Sequence, residues 1–217
     1  MDPNNHPLHY AHLKTAVETL ITAVHSFQQK NPDKEIRIAI IGGLAVRHYI
    51  GATRETMDAD VLITGVDTTE CIKRSLQSQV IFPCAGDEIQ VAVRGTFKKV
   101  DLIPERVLRP FPTTPTEFVP TSAVPIQSLV QPGHIPYLDE VELLLTKILS
   151  CLARSCPRKR RVDARDIDDL ARHLTPTGTM TVTLTPIQTQ VMVSGLPEFV
   201  QYSAFSLLWW RQTFSLP

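Results

Sequence analysis

The chain has 217 residues, 43% hydrophobic and 20% charged, with 22 Lys+Arg balancing 22 Asp+Glu. That is enough for one domain with a helical annex and a full core, and the balance speaks against a large basic nucleic-acid footprint. No apolar run reaches the ~18 residues of a membrane span, the first ten residues lack the pattern of a signal peptide, and Cys71, Cys84, Cys151 and Cys156 form no C-x-x-C pair, so a cytoplasmic protein with free thiols is expected.

Residues 1–9 read as a tail, and the three-residue spacing of His6, His9 and His12 fits a tail entering a helix better than a metal site. Over 10–29, Leu13, Val17, Leu20, Val24 and Phe27 form the stripe of an amphipathic helix, ended by Asn31-Pro32-Asp33. A strand is predicted over 35–41, then the pair Gly42-Gly43, a short helix over 44–50, a loop carrying Arg54, and a strand over 58–63 opened by Asp58-Ala59-Asp60. A helix over 69–79 follows, capped by Asp67 or Thr68, and a strand fragment over 80–82. Residues 87–93 and 97–103 read as a hairpin turning at Gly95-Thr96, with Lys99 and Asp101 on the face opposite Val100 and Leu102.

Residues 104–136 hold eight prolines and few periodic apolar residues, so a loop or strap is expected. A nearly all-apolar helix over 139–154 carries Lys147, which either contacts a ligand or runs its stem along the stripe toward Glu140 and Arg154. The basic run Pro157–Arg161 reads as a solvated turn, with a nuclear signal or an anionic acceptor as alternatives, before an amphipathic helix over 163–174. Thr185-Pro186 opens a helix to about 193, and Gly195-Leu196-Pro197 separates it from a last one over 198–210, whose Trp209-Trp210 end is expected to pack on the body.

The chemistry concentrates between 38 and 63. In a strand, Asp58 and Asp60 point to one face with Cα atoms about 6.6 Å apart, and Asp is depleted in strands. They are either paired ligands for divalent ions or turn residues ahead of the strand. A strand ending in Gly-Gly before a helix offers backbone N–H groups to phosphate oxygens, or is simply a tight turn. A dinucleotide fingerprint is excluded because its third glycine is missing, and a P-loop because no G-K-[ST] follows. Asp101 is either a functional carboxylate inside a strand or an exposed edge residue.

The pattern Gly-Gly-x-Ala, then Gly-x-x-Arg-x-Thr-x-Asp-x-Asp over 42–60, resembles the nucleotidyltransferase fold superfamily, the group that includes DNA polymerase β. It looks closest to the small single-chain nucleotidyltransferases, among them antibiotic-modifying enzymes and bacterial toxin components. The resemblance implies an α+β fold: a short mixed sheet with flanking helices over 1–136 and a helical part over 137–217. It implies Mg²⁺ or Mn²⁺ held by Asp58, Asp60 and Asp101, the last also a base for the attacking hydroxyl. It also implies an NTP, such as ATP, bound by Gly42, Gly43, Arg54, Thr56 and Lys147. Arg165-Asp166-Ile167-Asp168-Asp169-Leu170 is similar to the family's Lys/Arg-Asp-x-x-Asp-Leu signature, whose acids anchor basic side chains. Ala59 departs from the larger apolar residue common between the aspartates. The expected activity is transfer of a nucleoside monophosphate to a hydroxyl or phosphate of a small molecule, RNA or protein. Alternatives are a non-catalytic nucleotide-binding or interaction module and a toxin-like enzyme acting on tRNA.

Overall fold

The computed structural model describes residues 7–51, 56–65, 69–79, 82, 84–85, 88–105, 118–129, 133–176 and 182–217. These gather into two compact units, one drawn from 1–47, 52–107 and 121–138, the other from 48–51, 108–120 and 139–217.

The first unit begins with α1 (Pro7–Lys30). It starts earlier than the tail reading placed it, because Pro7 suits a first helical turn, where no N–H is needed. Strand β1 (Arg37–Ile41) leads directly into α2 (Gly42–Ile50). Then come β2 (Asp58–Thr64), α3 (Glu70–Gln77), β3 (Cys84–Ala85), β4 (Glu88–Val93), β5 (Thr96–Pro104) and β6 (Val124–Pro125). They form one mixed sheet in the order β3-β4-β5-β2-β1-β6, with β2 and β5 parallel and the other pairs antiparallel. The expected α+β fold with a short mixed sheet is what the chain adopts.

Three details differ from the sequence reading. The β4–β5 hairpin turns at Arg94-Gly95, both at positive φ (47° and 78°), one residue earlier than expected. Two central residues at positive φ match the right-handed twist of the flanking strands. The strap holds an edge strand: Pro125 lies opposite Arg37 and Val124 opposite Ile38, a place where proline's missing donor does no harm. The short strand lies at 84–85; of the proposed fragment, 80 and 81 fall outside the described residues and Phe82 is buried outside any strand.

Alternation along the strands gives the sheet two unlike faces. Ile38 and Ile40, Ala59, Val61 and Ile63, Val100 and Leu102, and Ile89, Val91 and Val93 share one face and are buried. Lys98 points the same way and meets His9 of α1, so α1 covers this face with Leu13, Val17, Leu20 and Val24, all fully buried. Burying four such side chains contributes roughly 6–12 kcal/mol of gross hydrophobic stabilisation. The opposite face carries Asp58, Asp60, Lys99 and Asp101.

The second unit is helical: α4 (Glu140–Ala153), α5 (Pro157–Leu174), α6 (Pro186–Phe199) and α7 (Leu207–Thr213). Asp139 caps α4 by accepting from the Val141 and Glu142 N–H groups. The basic run is the first turn of α5 rather than a loop, because Pro157 at its start presets the helical φ. Thr185 and Gln188 form a reciprocal capping box on α6. That helix continues through Gly195 and Pro197 where a break was expected. Pro197 lies in its last turn, and Gly195 is a packing point: a Cβ there would overlap Ile148 Cγ2 and touch Leu152 Cδ1 at 3.4 Å. The last helix is short. Trp210 is fully buried, edge-on to Phe199 and stacked on Phe214, and Trp209 stacks on Phe205 at 3.8 Å. Asp168 secures the turn before α7 by accepting from Ser203 Oγ (2.6 Å) and the Ala204 N–H (2.7 Å).

Gly195→Ala should therefore lose about 1–3 kcal/mol in a urea melt, although Gly→Ala in an exposed helix gains about 1 kcal/mol. A more stable variant would contradict the close approach of α6 to α4.

Candidate metal and nucleotide site

Parallel pairing of β2 with β5 places Asp58 opposite Lys99 and Asp60 opposite Asp101. The four side chains occupy the corners of one block on one face, about 4.8 Å apart across the strands and about 6.6 Å along them. The three carboxylates are each half-buried, and each offers an oxygen within 4.8 Å of the others. Hard oxygen donors converging in this way suit Mg²⁺ or Mn²⁺.

The end of β1 builds the second wall. Ile41 lies opposite Asp60, and Gly42 follows with φ +67°. A Cβ on Gly42 would fall 2.9 Å from Asp60 Cβ and nearer still to the carboxylate. Only glycine combines that φ with that approach. Gly43 is buried in the first turn of α2, which holds no acidic residue, so the positive end of a helix dipole emerges beside Asp60. The N-terminal N–H groups of α2 and a carboxylate cluster thus lie at one strand end.

Thr56 is buried and donates through Oγ1 to the Asp58 carbonyl at 3.0 Å, with Asp58 Oδ1 at 3.5 Å. Its own carbonyl is 3.1 Å from His9 Nε2, and His9 Nδ1 is 2.9 Å from Lys98 Nζ. A carbonyl only accepts and an ammonium only donates, so Nε2 carries the proton and Nδ1 accepts: His9 is the neutral imidazole. Burial first, and Lys98 second, hold its pKa below the ordinary 6.5. Arg54 lies outside the described residues.

Lys99 is the residue that sequence reasoning passed over. Its Nζ lies 2.9 Å from Glu88 Oε1 and 3.2 Å from Asp101 Oδ2. The hydrogen bond to Glu88, with a smaller one to Asp101, raises its pKa. Alternation already put Lys99 on the Asp101 face; the β2–β5 register, which places it beside Asp58, has no local signal.

In the second unit Lys147 Nζ meets Asp163 Oδ1 at 3.0 Å and Asp166 Oδ2 at 2.8 Å. Ser150 Oγ and Arg154 Nε reach Asp163 Oδ2 at 3.2 and 3.3 Å. Two cations thus face two carboxylates, as a buried charge group requires. Of the partners considered from sequence, Arg154 joins through Asp163, whereas Glu140 is 3.4 Å from His173 Nε2.

No family model and no curated protein matches the sequence. Among solved structures, the chain is similar to an antigenic nucleotidyltransferase-like protein from Paracoccidioides brasiliensis, with TM-score 0.52 and 19% identity, over 86% of this chain and 88% of that one. At that identity the likeness shows the fold alone: a mixed sheet with flanking helices, shared with that nucleotidyltransferase-like protein. No helix among the described residues is long and apolar enough to cross a membrane.

The neutral His9 has a pH consequence. Its folded pKa is lowered, so its contribution is complete above the unfolded value near 6.5 and fades as pH falls below it. Between about pH 7.5 and 5.5, wild type should lose more melting temperature than His9→Gln. Equal slopes would contradict the neutral assignment.

Proposed function

We propose that the chain is a metal-dependent nucleotidyltransferase that moves a nucleoside monophosphate from an NTP to a hydroxyl or phosphate acceptor and releases pyrophosphate. The observation that carries this reading is the convergence of Asp58, Asp60 and Asp101 on one sheet face, beside a glycine that yields its side-chain space to Asp60. Asp58 and Asp60 would hold Mg²⁺ or Mn²⁺, with Asp101 completing the set. Bound there, the ion would neutralise charge developing on the transferred phosphoryl group.

The remaining chemistry belongs to the chain. An acceptor oxygen attacks the α-phosphorus and the bond to the bridging oxygen breaks. Asp101 takes the proton when the acceptor is a hydroxyl, and pyrophosphate leaves. The N–H groups of Gly42 and Gly43 are suited to orient phosphate oxygens. Thr56 fixes Asp58 through its carbonyl and carboxylate and stands among the nucleotide contacts, as does Arg54. Lys147 is buried in the second unit with its ammonium on Asp163 and Asp166.

Incubation with α-labelled NTPs, Mg²⁺ and a cell extract tests the reading and identifies the acceptor as a small molecule, RNA (tRNA included) or protein. Label should move with wild type and stay on the nucleotide with Asp60→Asn, which keeps the shape but removes a charge. Transfer that survives Asp60→Asn would refute the assignment. Nucleotide binding with no transfer by either protein would leave a nucleotide-binding module of the same fold.

A further inference from the structure

Three acids and one lysine share the block formed by β2 and β5, and the lysine stands at the corner beside Asp58. We propose that Lys99 is the resident cation of the metal site: it holds Asp101 when no ion is bound, yields it when one binds, and so sets the ion affinity. The proposal rests on the metal-site reading of Asp58, Asp60 and Asp101.

The geometry gives Lys99 two partners of different kinds. Asp101, at 3.2 Å, belongs to the set of oxygens that converge within 4.8 Å. Glu88, at 2.9 Å, lies on the neighbouring strand β4 and is not in that set. An ammonium that gives up Asp101 therefore keeps a carboxylate and is not left unpaired. With half of Glu88 exposed and about a third of Lys99 and of Asp101 exposed, no buried packing has to rearrange for the exchange.

Electrostatics gives the arrangement its purpose. Three carboxylates this close repel one another, and one positive charge at hydrogen-bond distance relieves part of that repulsion. An incoming divalent ion supplies two charges to the same oxygens and competes with the ammonium for Asp101. Lys99 thereby stabilises the ion-free site and weakens the ion-bound one. Glu88, by holding the ammonium back, favours the ion.

Free Mn²⁺ measured by electron paramagnetic resonance, paired with melting curves with and without Mn²⁺, reads this balance without any turnover. Lys99→Met should bind Mn²⁺ at least about fivefold more tightly than wild type, melt lower without the ion, and gain more from it. Lys99→Arg, which keeps the charge, should restore wild-type affinity. Glu88→Gln, which leaves the ammonium to Asp101 alone, should bind Mn²⁺ more weakly. Lys73→Met makes the same change of net charge on α3, where Lys73 pairs with Glu70, and should bind as wild type does. The proposal is overturned if Lys99→Met binds Mn²⁺ like wild type, or if Lys73→Met tightens binding equally. Were wild type itself to bind no Mn²⁺, the metal-site reading would fall first and take this one with it.

Discussion

The parallel register of β2 with β5 is the constraint on which the first unit depends. It sets Asp60 level with Asp101 and Asp58 level with Lys99, bringing like charges together at a cost the rest of the sheet must carry. The opposite face supplies that stability through α1 and the apolar residues of four strands. The acidic face adds its own relief: Lys99 bridges Glu88 and Asp101, and Gly42 brings backbone rather than a side chain against Asp60. Slipping β5 by one residue would turn Lys99 and Asp101 into the core and Val100 out of it. The hydrophobic pattern that builds the core therefore also assembles the carboxylates.

Positioning continues outward from the block. Thr56 secures Asp58, His9 secures Thr56, and Lys98 fixes the tautomer of His9 from the covered face of the sheet. The start of α1 is thereby tied to the strand that carries two of the acids. The second unit uses the same principle at depth. Lys147 and Arg154 answer Asp163 and Asp166, and Asp168 is spent on the turn that seats the aromatic cluster around Trp210. Removing Lys147 would leave two buried carboxylates short of a cation, a loss of the kind that costs about 3–5 kcal/mol.

Much of this was legible in the sequence because it is local. Period-2 alternation placed Asp58 with Asp60 and Lys99 with Asp101, and the four-three stripe gave α1. Thr185-Pro186 announced α6. What escaped was non-local or weakly signalled. Which strand lies beside β2 is decided by the packing of the whole sheet, so Lys99 could be oriented but not given its neighbours. The proline-rich strap concealed β6, since a two-residue edge strand has no periodicity to read. Gly195 and Pro197 looked like a break because their local propensity says so. Gly195 has a tertiary role, letting α6 approach Ile148, that overrides it, and Pro197 is accommodated in the last turn of the helix. His9 passed for part of a tail because its partners, Thr56 and Lys98, are 47 and 89 residues away.

The central claim is that these three carboxylates form a metal and nucleotide site. The most direct measurement is anomalous diffraction near the manganese edge, from crystals grown with Mn²⁺ and a non-hydrolysable NTP. The account predicts an ion within about 2.2 Å of oxygens from Asp58 and Asp60, with the triphosphate reaching the same ion beside Gly42. An anomalous peak elsewhere, or none under saturating Mn²⁺ with Lys99 still closed on Asp101, would contradict it.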